Sequence, residues 1–138
     1  MLNTRPGKEV IVRMANEVGG LDKLAKMISE RGANILAVSA WVVGPQAVLH
    51  FVTDDNVRVA DALKARGYDA READVLVTEA PHKPGMLRHI TERLAQGDID
   101  VHHLYATAPM GQETCLVVFA TANNDHAMVL LNAPPGAP

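Results

Sequence analysis

Two six-residue segments of this 138-residue chain carry the residue types of a ligand-binding turn. The first reads Asn-Glu-Val-Gly-Gly-Leu over residues 16–21, and the second reads His-Lys-Pro-Gly-Met-Leu over residues 82–87. A glycine between a strand and a helix lets another group approach the backbone closely, and the first amides of the helix are unpaired donors at the positive end of its dipole. This combination suits the carboxylate of a small ligand.

Side chains of the two segments could complete such a site. Asn16 or His82 would offer a polar group, while Leu21, Met86 and Leu87 would form an apolar wall. The plainer alternative is that both glycines only allow tight turns and that the leucines belong to the core. The ten predicted ligand-binding residues are Asn16, Val18, Gly19, Gly20, Leu21, His82, Pro84, Gly85, Met86 and Leu87.

The two segments belong to a longer internal repeat. At the same offset of sixty-six residues Leu24 coincides with Ile90, and a two-residue slip then aligns Phe51 with Phe119. Few of the matched residues are identical, but the apolar positions match as a set. We infer that the chain is a duplication.

The hydropathy pattern of the first repeat predicts the element order β-α-β-β-α-β. The elements are a strand over residues 9–15, an amphipathic helix closed by Gly32, a hairpin over 35–53 that turns at 44–46, a helix capped at 54–56 and ended at Gly67, and a strand over 68–73.

The second repeat follows the same order but is shorter. Its elements are a strand over residues 75–79, a helix over 85–96, a strand over 99–107, a turn near 110–112, a strand over 114–122 and a helix capped at 123–125. Three of the last five residues are proline, so we expect this unit to lack its last strand. The predicted organisation is a flexible tail over 1–8, a first unit over 9–74, a truncated second unit over 75–132 and a disordered tail over 133–138.

The second repeat resembles the ACT domain family of amino-acid-binding regulatory modules. Their usual signature is Asn or Asp, then Pro-Gly-x-Leu, a helix, and Gly-Ile-Asn-Ile or a variant; here residues 82–87 are followed by Gly-Asp-Ile-Asp-Val over 97–101. The first repeat has Val18 in place of the proline but reads Gly-Ala-Asn-Ile over 32–35. The likeness covers residues 9–132 and is to small stand-alone proteins made of two ACT units in tandem.

This resemblance implies an α+β fold of two ferredoxin-like βαββαβ units whose antiparallel sheets pair side by side. The strand order of such a unit is 4-1-3-2, so a missing fourth strand would leave the strand over 75–79 on an open edge. That strand is apolar and has no Lys or Pro in its middle, which is typical of an edge that pairs with another chain. We therefore predict a homodimer whose interface includes this strand or the helix over 127–131.

Composition and charge argue against several classes of partner. Thirteen Lys and Arg against sixteen Asp and Glu give a net charge of −3, with no basic block for nucleic acid. The longest apolar runs fall far short of the ~20 residues that span a bilayer, and no signal peptide is recognisable, so we expect a cytoplasmic protein without a membrane partner. The single Cys115 cannot form an intrachain disulfide and is expected to be a small buried residue.

Catalytic and metal-binding motifs are weak or missing. The chain has no P-loop, GxGxxG or HExxH motif, so we do not expect an enzyme or a cofactor. Among the six histidines, His102 and His103 point to opposite faces of a strand and therefore do not form a chelating pair. No metal ligand is predicted, although some ACT-like regulators bind transition metals through strand histidines. His50 is expected to be buried and hydrogen-bonded.

The leading hypothesis is a small-molecule sensor that binds a free amino acid where the glycine loops meet the strand of the neighbouring unit. An apolar or branched side chain would be favoured, and the protein would act through a partner enzyme or regulator of amino-acid metabolism. Two alternatives stay open: a ligand-free interaction module and a metal-responsive regulator.

Overall fold

The computed structural model describes residues 2–108 and 110–134. The elements are β1 (Asn3–Ala15), α1 (Gly20–Glu30), β2 (Ile35–Val43), β3 (Gln46–Thr53), α2 (Asn56–Ala65), β4 (Asp69–Pro81), α3 (Met86–Gln96), β5 (Val101–Thr107), β6 (Thr114–Thr121) and α4 (Asn124–Asn132). None of these helices is long and apolar enough to cross a bilayer.

The chain folds into two compact units, as the internal repeat predicts. The first unit is Lys8–Ala73, and the second unit combines Met1–Gly7 with Asp74–Pro138. The strand order is β2-β3-β1-β4 in the first unit and β1-β4-β6-β5 in the second. Both orders are those of a ferredoxin-like unit, which confirms the predicted α+β class and the tandem ACT-like architecture.

The core of the first unit lies between its strands and the two helices α1 and α2. The register pairs Val10 with Phe51, which places both side chains on the helix-facing side of the sheet. Leu24 of α1 and Leu63 of α2 pack into the same cluster and are almost completely buried. Each such side chain contributes about 1.5–3 kcal/mol on burial, so the spacing of apolar residues in the sequence determines which helix face turns inward.

The core of the second unit repeats this arrangement. Leu76 pairs with Phe119 across β4 and β6, and Ile90 and Leu94 of α3 pack against them together with Leu131 of α4. Phe51 and Phe119 therefore occupy equivalent core positions, in agreement with the alignment of the repeats.

Equivalent hydrogen bonds also precede α2 and α4. The Thr53 hydroxyl donates to Asn56 Oδ1 over 2.9 Å, and the Thr121 hydroxyl donates to Asn124 Oδ1 over 2.8 Å. The two helices are capped by Asp55 and by the residue sixty-eight positions later, Asn123. The duplication thus extends to individual polar contacts as well as to the apolar pattern.

The expected flexible tail over residues 1–8 is wrong. Residues from Asn3 onward form the first half of β1, and Thr4 exchanges two hydrogen bonds with the Asn132 side chain at the end of α4, both of 2.8 Å. The Leu2 amide also donates to the carbonyl of Leu131 over 3.1 Å. Pro6 is tolerated because this half of β1 is the edge strand of the second unit, where a missing amide costs little.

The expected open edge over residues 75–79 is wrong for the same reason. Within the second unit, Asn3–Gly7 takes the place of the fourth strand, and no strand follows α4 in the described residues. The approach of the two strands is close, because a Cβ on Gly7 would lie 3.0 Å from Val77 Cγ2. The argument for a homodimer through this edge therefore fails.

The boundary between the units lies within a strand and not in a linker, which differs from the prediction. Two strands joined by a single residue were expected over 68–79, but β4 is one continuous strand of 13 residues. The division between the units falls inside it, between Ala73 and Asp74. Most of the predicted C-terminal tail, residues 135–138, lies outside the described residues.

Candidate functional site

The second glycine loop joins the end of β4 to the start of α3. The Met86 amide donates to the Lys83 carbonyl over 3.2 Å, which makes the tight turn. Gly85 has a φ of +91°, a left-handed conformation that favours glycine. No described atom outside its immediate neighbours lies within 4 Å of the position that a Cβ would take. This backbone is therefore accessible from outside.

The start of α3 has unsatisfied donors. Gly85 is its N-cap residue, and no side chain caps the helix. The Gly85 carbonyl accepts a hydrogen bond from the His89 amide, but the amides of Leu87 and Arg88 have no acceptor among the described residues. These two donors lie at the positive end of the helix dipole, where an anion is stabilised.

A small cleft of about 230 Å³ adjoins this helix start. Its lining residues are Leu2, Ala80, Pro81, Lys83, Pro84, Gly85, Met86 and His89. Most of these contribute apolar surface, whereas Lys83 and His89 supply polar groups that are exposed to solvent. The arrangement combines an apolar wall with donors for a negatively charged group.

Of the residues predicted for this loop, Pro84, Gly85 and Met86 line the cleft and two do not. The His82 amide donates to the carbonyl of Glu113, the residue before β6, over 2.8 Å, and the His82 side chain is exposed. Leu87 is also exposed, so it is neither a core residue nor part of the cleft wall.

The sequence interpretation missed five lining residues, of which Ala80 and Pro81 are the last two residues of β4. His89 lies four positions after Gly85, in the first turn of α3, and this spacing could have identified it. Lys83 lies within the predicted segment but was not selected. Leu2 gave no usable signal, because it reaches the cleft only through the pairing of residues 3–7 with β4.

The first glycine loop has the same backbone. Gly19 has a φ of +84°, its carbonyl accepts from the Lys23 amide over 3.1 Å, and no side chain caps α1. The amides of Leu21 and Asp22 have no acceptor among the described residues. The duplication therefore preserved the loop conformation in both units.

Its surroundings differ from those of the second loop. The adjacent cleft measures about 420 Å³, is more polar, and is lined in part by Arg13, Glu17 and Asp69. Of the predicted residues only Gly20 lines it. The others, Asn16, Val18, Gly19 and Leu21, are exposed and lie outside its lining, and the Asn16 amide donates to the Pro45 carbonyl. The cleft at the first loop is thus less apolar than that at the second, although Met14 and Tyr68 contribute to its lining.

Two further residues singled out in the sequence are largely buried. His50 is largely buried, with Nδ1 3.1 Å from Oε1 of the fully buried Glu9, and its ring stacks on Trp41 at a centroid distance of 5.1 Å. Cys115 is buried and its thiol donates to the Ala80 carbonyl over 3.6 Å. Both fit the burial expected from the sequence.

Comparison with known proteins gives the fold. No family model matches the chain, and no curated protein matches it in sequence. Solved structures do match: a protein of Bacteroides thetaiotaomicron at TM-score 0.85 and 20% identity, covering 93% of this chain and 88% of that one. The regulatory subunit of aspartate kinase from Thermus thermophilus matches at TM-score 0.63 and 12% identity, over 94% and 93%.

A third match is a proposed C-terminal regulatory domain of aspartate kinase from Porphyromonas gingivalis. It has a TM-score of 0.59 and 14% identity, over 95% of this chain and 93% of that one. At these identities the likeness concerns the fold. The fold of this chain is therefore ACT-like, with two tandem units of the kind found in regulatory subunits of aspartate kinase.

Proposed function

We propose that this protein is a regulatory protein that binds a free amino acid at the second glycine loop. The observation that carries the proposal is the uncapped start of α3 beside a small, mainly apolar cleft. The regulatory subunits that share the fold support a role in regulation rather than in catalysis.

The ligand carboxylate would bind at the helix start. The Leu87 and Arg88 amides are available as donors, and Gly85 presents no side chain that would block them. Hydrogen bonds to an ionised group are roughly twice as strong as those between neutral groups. Lys83 in the cleft lining adds a positive charge. The positive end of the α3 dipole favours the same orientation of the ligand.

The ligand side chain would enter the apolar part of the cleft. Leu2, Ala80 and Met86 supply this surface. The cleft volume of about 230 Å³ is below the roughly 300–1,000 Å³ of sites for drug-sized ligands, and it suits a molecule of the size of one amino acid. An apolar or branched side chain is therefore favoured over a charged one. A contribution from the other unit stays a prediction.

The protein would transmit binding to a partner enzyme or regulator of amino-acid metabolism. Ligand binding changes the stability of the unit that holds it, and a partner that recognises the ligated form responds to the amino-acid concentration. The shared fold with aspartate kinase regulatory subunits supports this class of partner.

The test is a thermal-shift screen with the twenty amino acids, followed by calorimetry with the best ligand. At least one amino acid with an apolar side chain is expected to raise the unfolding midpoint. Lys83→Glu should weaken its binding, whereas Lys26→Glu, an equivalent charge reversal on α1, should not. No shift with any amino acid would favour an interaction module. A shift with nickel or zinc alone would favour a metal-responsive regulator.

A further inference from the structure

Residues 2–7 belong both to the edge strand of the second unit and to the wall of the cleft beside the second glycine loop. Leu2 lines this cleft together with Ala80 and Met86, although it is distant from both in sequence. The Leu2 side chain is only 7% exposed and is part of the core cluster of this unit. The apolar part of the cleft is therefore complete only when this segment is docked.

The last turn of α4 anchors the segment from outside the cleft. The side-chain amide of Asn132 accepts a hydrogen bond from the Thr4 amide and donates one to the Thr4 carbonyl, as a neighbouring strand would do. The Leu2 amide donates to the carbonyl of Leu131, one of the last four carbonyls of α4, which have no partner within the helix. Asn132 itself does not line the cleft. A residue outside the ligand site thus holds one of its walls in place.

Several features of residues 2–7 favour local detachment over unfolding of the whole unit. As the edge strand, the segment has one sheet neighbour, β4. Pro6 has no amide to donate, and Gly7 has no side chain to bury. The ion pair between Arg5 and Glu79, at 3.6 Å, is half exposed on both sides and therefore adds little. Elements with few such contacts open at a lower free energy than the core does.

We propose that amino-acid binding and docking of residues 2–7 are coupled, so that the bound amino acid holds this edge strand in place. This inference rests on the proposed function, because its ligand is the amino acid of that site. A ligand that contacts Leu2 binds the docked form more tightly and so raises its population. By linkage, docking raises the affinity for the amino acid by the same factor. The amino-acid concentration then determines how many chains have a complete sheet in the second unit, and a partner protein can recognise this difference.

The variant Asn132→Ala tests the coupling from outside the cleft. It removes both hydrogen bonds to Thr4 and leaves every cleft-lining residue unchanged. Calorimetry with L-leucine is expected to give an affinity about fivefold or more below that of the wild type. Asn56→Ala is the matched control, because the Asn56 side chain donates to the Lys8 carbonyl in the other half of β1 over 2.7 Å. This control should bind L-leucine as the wild type does.

A disulfide tests whether Asn132 acts through the position of the segment. The hydroxyls of Thr4 and Thr78 are in contact between β1 and β4, so the pair Thr4→Cys/Thr78→Cys can join the two strands covalently. Added to Asn132→Ala and oxidised, this pair should restore the wild-type affinity for L-leucine, whereas the reduced form should stay weak. A role of Asn132 in the fold of α4 alone would not give this recovery. Failure of the oxidised form to recover binding would contradict the proposal.

Hydrogen exchange of the wild-type chain measures docking directly. L-Leucine should slow exchange of the Leu2 and Thr4 amides, which are bonded to α4, and should leave the Thr53 amide, bonded to Asn56 Oδ1 in the first unit, unchanged. Binding of L-leucine without slower exchange at the first two amides would overturn this inference alone, as would equal affinity of Asn132→Ala and the wild type. A wild type that binds no amino acid would overturn the proposed function as well.

Discussion

The hydroxyl groups of Thr4 and Thr78 lie 2.8 Å apart in the interior of the second unit. Both residues are almost fully buried. Their contact joins the first residues of β1 to β4. It thereby holds in place the fourth strand of the second unit, which the second repeat lacks in its own sequence. The stability of the second unit therefore depends on residues that precede the first.

Replacing one of these threonines should destabilise the second unit. Thr4→Val leaves the Thr78 hydroxyl buried without this partner, which costs about 1–3 kcal/mol. The double variant Thr4→Val/Thr78→Val should recover most of the loss, because both polar groups are then removed. Urea denaturation measures both values. A double variant as unstable as the sum of the single ones would show that the hydroxyl contact is not the cause.

A second prediction concerns the second glycine loop. Gly85→Val should abolish amino-acid binding at a stability cost of about 1–3 kcal/mol, because a β-branched residue is strained at a φ of +91° and its side chain would block the helix start. Gly44→Val, at a hairpin turn with a φ of +56°, is the matched control for strain without a change in binding. Equal affinity of the Gly85→Val variant and the wild type in calorimetry would sink the loop assignment.

Selectivity for the ligand side chain is the third prediction. Leucine or valine should bind more tightly than aspartate or lysine, because a charged side chain in the apolar part of the cleft loses hydration without gaining a partner. Competition calorimetry with these four amino acids gives the order. Tighter binding of aspartate or lysine would contradict the proposed placement of the side chain.

The fourth prediction tests whether Asn3–Gly7 covers the strand over 75–79. Val77→Lys places a charge at a position that is 5% exposed and close to Gly7, so it should lower the thermal midpoint strongly. Val42→Lys, at a position that is 55% exposed, should leave the midpoint nearly unchanged. A thermal midpoint of Val77→Lys equal to that of the wild type would contradict the packing of Gly7 against Val77.

Much of the fold could be predicted because local signals agree with the final structure. The helical spacing of Leu24 and Ile28, the turn glycines and the cap at Asp55 each specify a neighbouring segment. The position of Asn3–Gly7 could not be predicted in this way. That segment has a proline and no alternation, and its strand conformation comes from contacts with Thr78 and Asn132, which are distant in sequence.

The candidate site likewise has one feature that could be predicted from local sequence and one that could not. The glycine conformation at Gly19 and Gly85 follows from local sequence, and the structure has both in the left-handed region. The shape of the cleft does not, since Leu2 reaches it from the other end of the chain. The two segments have similar sequences, so they could not predict that the cleft beside the first loop is more polar than the cleft beside the second.

The hydrogen bonds between Thr4 and Asn132 join residues 128 positions apart, and this separation has a kinetic consequence. The entropy lost on closing a loop grows with its length, and contacts of high sequence separation form slowly. The first unit is built from the contiguous residues 8–73, so its contacts are available early in synthesis. The edge strand of the second unit can complete its hydrogen bonds with Asn132 only once α4 has emerged from the ribosome, so a slow final folding phase should be confined to this unit.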